Sequence, residues 1–172
     1  MNAIGIVGWK NSGKTTLVSR LIPALQSRGL SVSTIKHVHH DVDLDLPGKD
    51  TFVHREAGAV DVVMYSDKRW AILHEQREQA PSPPSIDDMI SKMTPVDLVL
   101  VEGFKHVPMS RLEIRGEGGG PAMTEAGVRG IIGIVTDGDA DADLPIFGRD
   151  EIDLISDFLE EAISIPRITA FG

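Results

Sequence analysis

The chain predicts an α/β fold, a three-layer sandwich with a mostly parallel central β-sheet flanked by helices. Two observations carry that prediction. Strand-like and helix-like segments alternate along the sequence, as crossover connections between parallel strands require. Residues Gly8-Trp9-Lys10-Asn11-Ser12-Gly13-Lys14-Thr15 also match the phosphate-loop pattern G-x-x-x-x-G-K-[ST] at every fixed position. An apolar run, Ala3-Ile4-Gly5-Ile6-Val7, precedes the octet, and Leu17-Val18-Leu21-Ile22-Leu25 follow at helical spacing. Such a strand–loop–helix unit is the opening of a P-loop nucleoside triphosphatase (NTPase) fold.

The remaining elements follow in order. Gly29 stops the helix predicted over 14–28, and 30–35 reads as a second strand. The polar stretch 37–50 leads to a short helix over 50–58, ended by Gly58. Segments 60–65 and 69–74, separated by Ser66-Asp67-Lys68, predict a hairpin. Residues 80–84 form a proline-rich connector, and Ser85 is placed to cap a helix over 86–93. Segment 97–101 is the most apolar strand and is predicted to lie centrally. Strands at 112–114 and 130–135 flank a glycine-rich loop, and a last helix covers 150–163.

Bulk properties narrow the function classes. The length of 172 residues suits one domain spanning 1–172. A formal net charge of −9 argues against a sequence-independent grip on nucleic acid. The absence of cysteine removes disulfides, thiolate nucleophiles and cysteine-based zinc sites together. No apolar run approaches the roughly 20 residues that span a bilayer, and no signal peptide is read, so a cytoplasmic location is expected.

Chemistry assigns roles within the loop. Amides from Gly8, Asn11, Ser12, Gly13, Lys14, Thr15 and Thr16 are expected to wrap phosphate at a helix N-terminus, where orphan donors favour negative charge. Lys14 should reach the β- and γ-phosphates, and the Thr15 hydroxyl should ligate Mg²⁺. Glu102, ending strand 97–101, is the matching acid for Mg²⁺ or its water shell; Gly103 could turn its N–H towards the γ-phosphate, and Asp97 is read as structural.

Other segments leave alternatives open. His37, His39, Asp41, Asp43 and Asp45 alternate to one face of an extended chain. That face can be a solvated edge, a transition-metal site, or a switch loop serving magnesium or the attacking water. His54 and Arg55 could bring positive charge near phosphates or form an ordinary helix surface. Asp137, or Asp139, follows a late strand where a carboxylate can accept from the N1 and N2 donors of guanine, although the N-K-x-D pattern is absent and a plain acidic turn fits equally. Trp9 and Trp70 are read as packing residues.

Together these segments resemble the MobB family, the GTP-binding proteins of molybdopterin guanine dinucleotide synthesis. The phosphate loop, Lys36-His37-Val38-His39-His40-Asp41, Asp45-Leu46-Pro47-Gly48-Lys49-Asp50-Thr51, His54-Arg55-Glu56-Ala57-Gly58-Ala59 and Val101-Glu102-Gly103-Phe104-Lys105 carry the resemblance. It implies a homodimeric, weakly hydrolytic GTPase that assists the guanylyltransferase MobA, with molybdopterin as a further candidate ligand. GTP and Mg²⁺ are the implied cofactors, Glu102 the Walker B acid, and Asp41 or Asp45 the residues that position the attacking water. The broader class often carries a lysine directly after the first loop glycine; here Trp9 stands in that place and Lys10 follows. Two alternative functions remain, a small-molecule phosphotransferase (an ATP-dependent kinase) and a nickel-type metallochaperone GTPase using His37, His39 and His40.

Overall fold

The computed structural model describes residues 1–38, 45–76, 83–116 and 119–164. In chain order the elements are β1 (Asn2–Gly8), α1 (Lys14–Ser27), β2 (Val32–Lys36), α2 (Asp50–Glu56), β3 (Asp61–Ser66) and β4 (Arg69–His74). They continue with α3 (Ile86–Ser91), β5 (Leu98–Glu102), β6 (Arg111–Ile114), β7 (Ile131–Val135), β8 (Ile146–Phe147) and α4 (Ile152–Ser164). The chain divides into two compact units, one of Met1–His37 with Thr94–Gly172 and one of Val38–Met93.

The first unit is built on a six-stranded sheet in the order β2-β5-β1-β6-β7-β8. Every strand pairing in it is parallel, as the alternation of strands and helices predicts. Leu98, Val99, Leu100 and Val101 are fully buried, so both faces of β5 are covered and its sequence runs apolar without alternation. It lies inside the sheet between β2 and β1, while β1 and β6 hold the middle. Apolar side chains of α1 (Leu17, Leu21, Leu25) and α4 (Ile155, Leu159) pack with Ile4, Ile6, Leu100 and Leu112 into the main core. A smaller cluster joins Val7, Met123 and Val128, with Ile131 against it.

Helix α1 ends in a Schellman motif. Gly29, at φ 85°, donates to Gln26 O at 3.0 Å, and Leu30 donates to Leu25 O at 3.2 Å. The next strand is anchored by Asp97, which accepts from Ser31 N at 2.8 Å and from Ser31 Oγ at 2.6 Å. Those bonds hold the Asp97 carboxyl below its ordinary pKa and give it the structural role expected of it. Strand β8 was not foreseen. Two residues are too few for a periodic signal, and the pairing depends on Ile134 N donating to Pro145 O and Thr136 N to Phe147 O, both at 2.9 Å.

In the second unit β3 and β4 form the expected antiparallel hairpin, from Asp61↔His74 to Ser66↔Arg69. Ser85 caps α3 through a capping box in which Asp88 N donates to Ser85 Oγ at 3.1 Å and Ser85 N donates to Asp88 Oδ2 at 2.9 Å. Most of the proline-rich connector before it, residues 80–82, lies outside the described residues. One hairpin face contributes Val62, which is buried. The other presents the cross-strand pairs Val63–Ile72 and Tyr65–Trp70, all exposed. Trp70, expected to pack, is thus 58% exposed, because it falls in phase with this outer face.

Candidate nucleotide-binding site

The parallel register sets the site. Lys36 of β2 stands opposite Glu102 of β5, and Glu102 stands opposite Ile6 of β1. All three strands therefore end at one edge of the sheet, where β1 turns into the phosphate loop and where open α/β sheets bind ligands.

The loop adopts a conformation suited to an anion. Asn11 and Gly13 have positive φ angles of 62° and 90°, and Ser12 N donates to Trp9 O at 3.2 Å. Gly13 caps α1 without any side-chain bond, leaving the first helical amides to a ligand. At Gly8 a Cβ would collide with Ile114 O and Ser12 Oγ, so the close approach of β1 to β6 requires glycine. The Lys14 ammonium lies within the loop, donating to Gly8 O at 3.1 Å and Trp9 O at 2.6 Å, with Ser12 Oγ at 3.5 Å. Burial pushes its pKa down; Glu102 opposes that, and Lys105 and Lys36 add to it.

Thr15 and Glu102 meet as the sequence predicts. The Thr15 hydroxyl donates to both carboxylate oxygens, at 3.1 and 3.2 Å. A hydroxyl and a carboxylate side by side are hard oxygen donors that fit Mg²⁺, which binds through one or two protein ligands plus substrate phosphates. Among the described residues no group of three or more His, Cys, Asp or Glu side chains is arranged to hold a metal ion. Thr16 is exposed on the first turn of α1, and its carbonyl accepts from Ser19 Oγ at 2.8 Å.

Several expectations change in the structure. Gly103, at φ 95°, does not present its N–H to a phosphate; it donates to Ile6 O at 3.1 Å and lets His37 pack against it. Asp45, expected to position water, is buried in the second unit. Its Oδ1 accepts from Leu46 N at 3.0 Å and Thr51 Oγ1 at 2.8 Å, and Arg55 Nε lies 3.5 Å from Oδ2. That carboxylate organises the start of α2, a task that period-two spacing in an extended chain does not reveal. Arg55 also pairs with Glu75 at 2.7 Å, so it serves the second unit internally. Asp41, with His39, His40 and Asp43, lies outside the described residues.

Asp137 is engaged by one residue. Arg149 N donates to Oδ1 at 3.0 Å, and its Nε donates to Oδ2 at 3.1 Å. The Arg149 guanidinium also donates to Arg115 O and lies where a Cβ on Gly13 would collide with it. One side chain thereby links the loop after β7, the loop after β6 and the phosphate loop.

Four other residues escaped sequence reading as parts of the site. Lys36 Nζ is 3.2 Å from Glu102 Oε1 and donates to Thr15 Oγ1 at 3.2 Å. Glu113 is buried, paired with Arg115 at 3.1 and 3.2 Å, and accepts from Met123 N at 2.9 Å. Arg111 is 1% exposed and donates to the carbonyls of Phe104, Met109 and Arg129. Burial lowers its pKa, and its bond to Phe104 O tethers the turn that follows Glu102. Lys105 lies 4.3 Å from the centre of the Trp9 ring, whose Nε1 donates to Pro121 O at 2.8 Å; Trp9, expected to pack, is itself 37% exposed. A charged residue inside an otherwise apolar strand is a usable signal for Arg111 and Glu113. None marks Lys36, whose partner lies on another strand.

Comparison with known proteins gives a consistent result. Residues 3–137 match the family described as molybdopterin guanine dinucleotide synthesis protein B. A molybdopterin-guanine dinucleotide biosynthesis adapter protein of Escherichia coli is 34% identical over 161 residues, covering 92% of this chain and 91% of that protein. The protein of the same name from Haemophilus influenzae is 36% identical over 159 residues, covering 91% and 86% respectively. A crystal structure of molybdopterin-guanine biosynthesis protein B aligns with a TM-score of 0.74 at 27% identity, covering 94% of this chain and 99% of that one. With the family match spanning most of its length, this chain belongs to the molybdopterin guanine dinucleotide synthesis protein B family, MobB.

Proposed function

We propose that this protein is a GTP-binding adapter in molybdopterin guanine dinucleotide synthesis, acting with the guanylyltransferase MobA and hydrolysing GTP slowly. The observation that carries the reading is the convergence of Lys14, Thr15 and Glu102 at an uncapped helix N-terminus. In this reading the loop amides and Lys14 bind the β- and γ-phosphates, and Thr15 and Glu102 hold Mg²⁺. The metal would supply positive charge between the phosphate oxygens. Glu102 is oriented by Thr15 and Lys36 before any ligand arrives, so little reorganisation is needed.

Slow turnover is the expectation for the three arginines described beside the loop. Arg149 is committed to Asp137 and the Arg115 carbonyl, Arg115 to Glu113, and Arg111 to three carbonyls. An arginine finger contributes factors of about 10³ to 10⁵, and none of these three is placed as one. The same commitments weigh against a phosphotransferase, whose lid would present Arg111 or Arg115 to substrate.

A homodimer is part of the proposal. The exposed pairs Val63–Ile72 and Tyr65–Trp70 support it, since contiguous aromatic and aliphatic side chains on a sheet face commonly mark an interaction surface.

Titration with GTP and with ATP, each with Mg²⁺, by calorimetry tests the reading. A clear preference for GTP is expected. Equal or ATP-favouring binding would retain the phosphate loop but return the choice to a kinase.

A further inference from the structure

We propose that Lys36 is a second phosphate-binding lysine, one that contacts the terminal phosphate of a nucleoside triphosphate and so separates triphosphate from diphosphate. The inference rests on the triphosphate-binding reading above.

Position comes first. Lys36 is the last residue of β2, in register with Glu102, and the backbone is pinned just beyond it by His37 N donating to Glu102 O at 2.9 Å. The ammonium therefore works from a rigid strand end at the same edge as the phosphate loop. It contacts Glu102 Oε1 and Thr15 Oγ1, each at 3.2 Å. Those are the two groups whose chemistry would suit a bound Mg²⁺.

Charge balance comes second. Lys36 and Lys105 both lie close enough to act on Lys14, and Glu102 is the acid acting on it among them. A local excess of cations in a chain of net charge −9 is the signature of an anion site.

Exchange comes third. The Lys36 side chain is 49% exposed, so its ion pair with Glu102 is screened and contributes little to stability. Thr15 and Glu102 would hold a divalent cation through that hydroxyl and carboxylate, which would free the ammonium from both. The four-carbon stem of Lys36 then lets the released charge follow the nearest anion. Lys14 works from the inner part of the loop, and Lys36, from the strand end on the other side of Glu102, adds a second cation for the outermost phosphate.

Binding of GTP and of GDP, both with Mg²⁺, is to be measured by calorimetry for the wild type, Lys36→Met, Lys36→Gln and Lys36→Arg. Loss of one charge-assisted contact should weaken GTP binding about tenfold in both neutral variants while GDP affinity stays within about twofold. Lys36→Arg should restore most of the difference. Unchanged GTP affinity, or equal weakening of GTP and GDP, would overturn the proposal and leave the site assignment standing. A wild-type protein that binds neither nucleotide would instead defeat the nucleotide reading itself, and this inference with it. Thermal unfolding of each unliganded variant confirms that it is folded, and the glutamine variant, which keeps a polar end, serves if the methionine variant is not.

Discussion

Replacing Lys14 with alanine should weaken GTP binding at least about a hundredfold while leaving the protein folded. Its ammonium is held inside the loop by Gly8 O, Trp9 O and Ser12 Oγ, at the position that a β-phosphate approaches. Hydrogen bonds to charged groups contribute about 1.5–3 kcal/mol each, so losing contacts to two phosphates crosses two powers of ten. The folded state should tolerate the change, because burial already disfavours this charge in the absence of an anion. Calorimetry and a melting curve on the same sample decide the matter. Near-wild-type GTP affinity with an unaltered midpoint would mean that the octet is an ordinary glycine-rich turn.

The second large effect falls on stability. Glu113→Ala should cost about 3 kcal/mol and lower Tm by about 6–12 °C for a chain of this size. Glu113 is 2% exposed, its carboxylate holds Arg115 through two bonds, and it accepts the Met123 amide. Truncation leaves a guanidinium and a buried N–H without their acceptor. Glu113→Gln keeps the Oε1 position, which serves both Met123 N and Arg115 Nε, so it should lose less than the alanine variant. A shift under 2 °C for Glu113→Ala, by thermal unfolding followed by circular dichroism, would show that water replaces the carboxylate without cost. The disturbance should also reach the site, since Gly116, just beyond Arg115, packs against the backbone of Ser12.

How far the site could be read in advance depended on the range of the interactions involved. Gly8, Gly13, Lys14 and Thr15 are legible because the loop closes on itself within eight residues and uses a fixed spacing. Glu102 is legible for a similar reason, as the first acid after an unbroken apolar strand. Asp45 misled because its alternation with His37 and Asp41 describes an extended chain, whereas the folded segment turns it inward to Thr51 and Arg55. Asp137 was legible only as a carboxylate after a late strand, a guanine acceptor or a plain acidic turn, because its partner Arg149 follows a two-residue strand that leaves no periodic trace. Trp70 looked like a core residue because size and hydrophobicity favour burial, and only the hairpin register puts it on the outer face.

By itself the sequence determined the α/β class, the parallel sheet and the phosphate loop. Apolar periodicity, glycine placement and the loop's invariant spacing are local properties that each segment carries along with it. Only the tertiary structure decided that Lys36 stands opposite Glu102, that Arg149 binds Asp137 against the phosphate loop, that Arg111 reaches three backbone carbonyls, and that Glu113 meets Arg115 and the Met123 amide. Those contacts arise from parallel strand register and from loops meeting at one sheet edge. Register is set by burial summed over whole strands, so no single stretch of sequence records which side chains it will bring together.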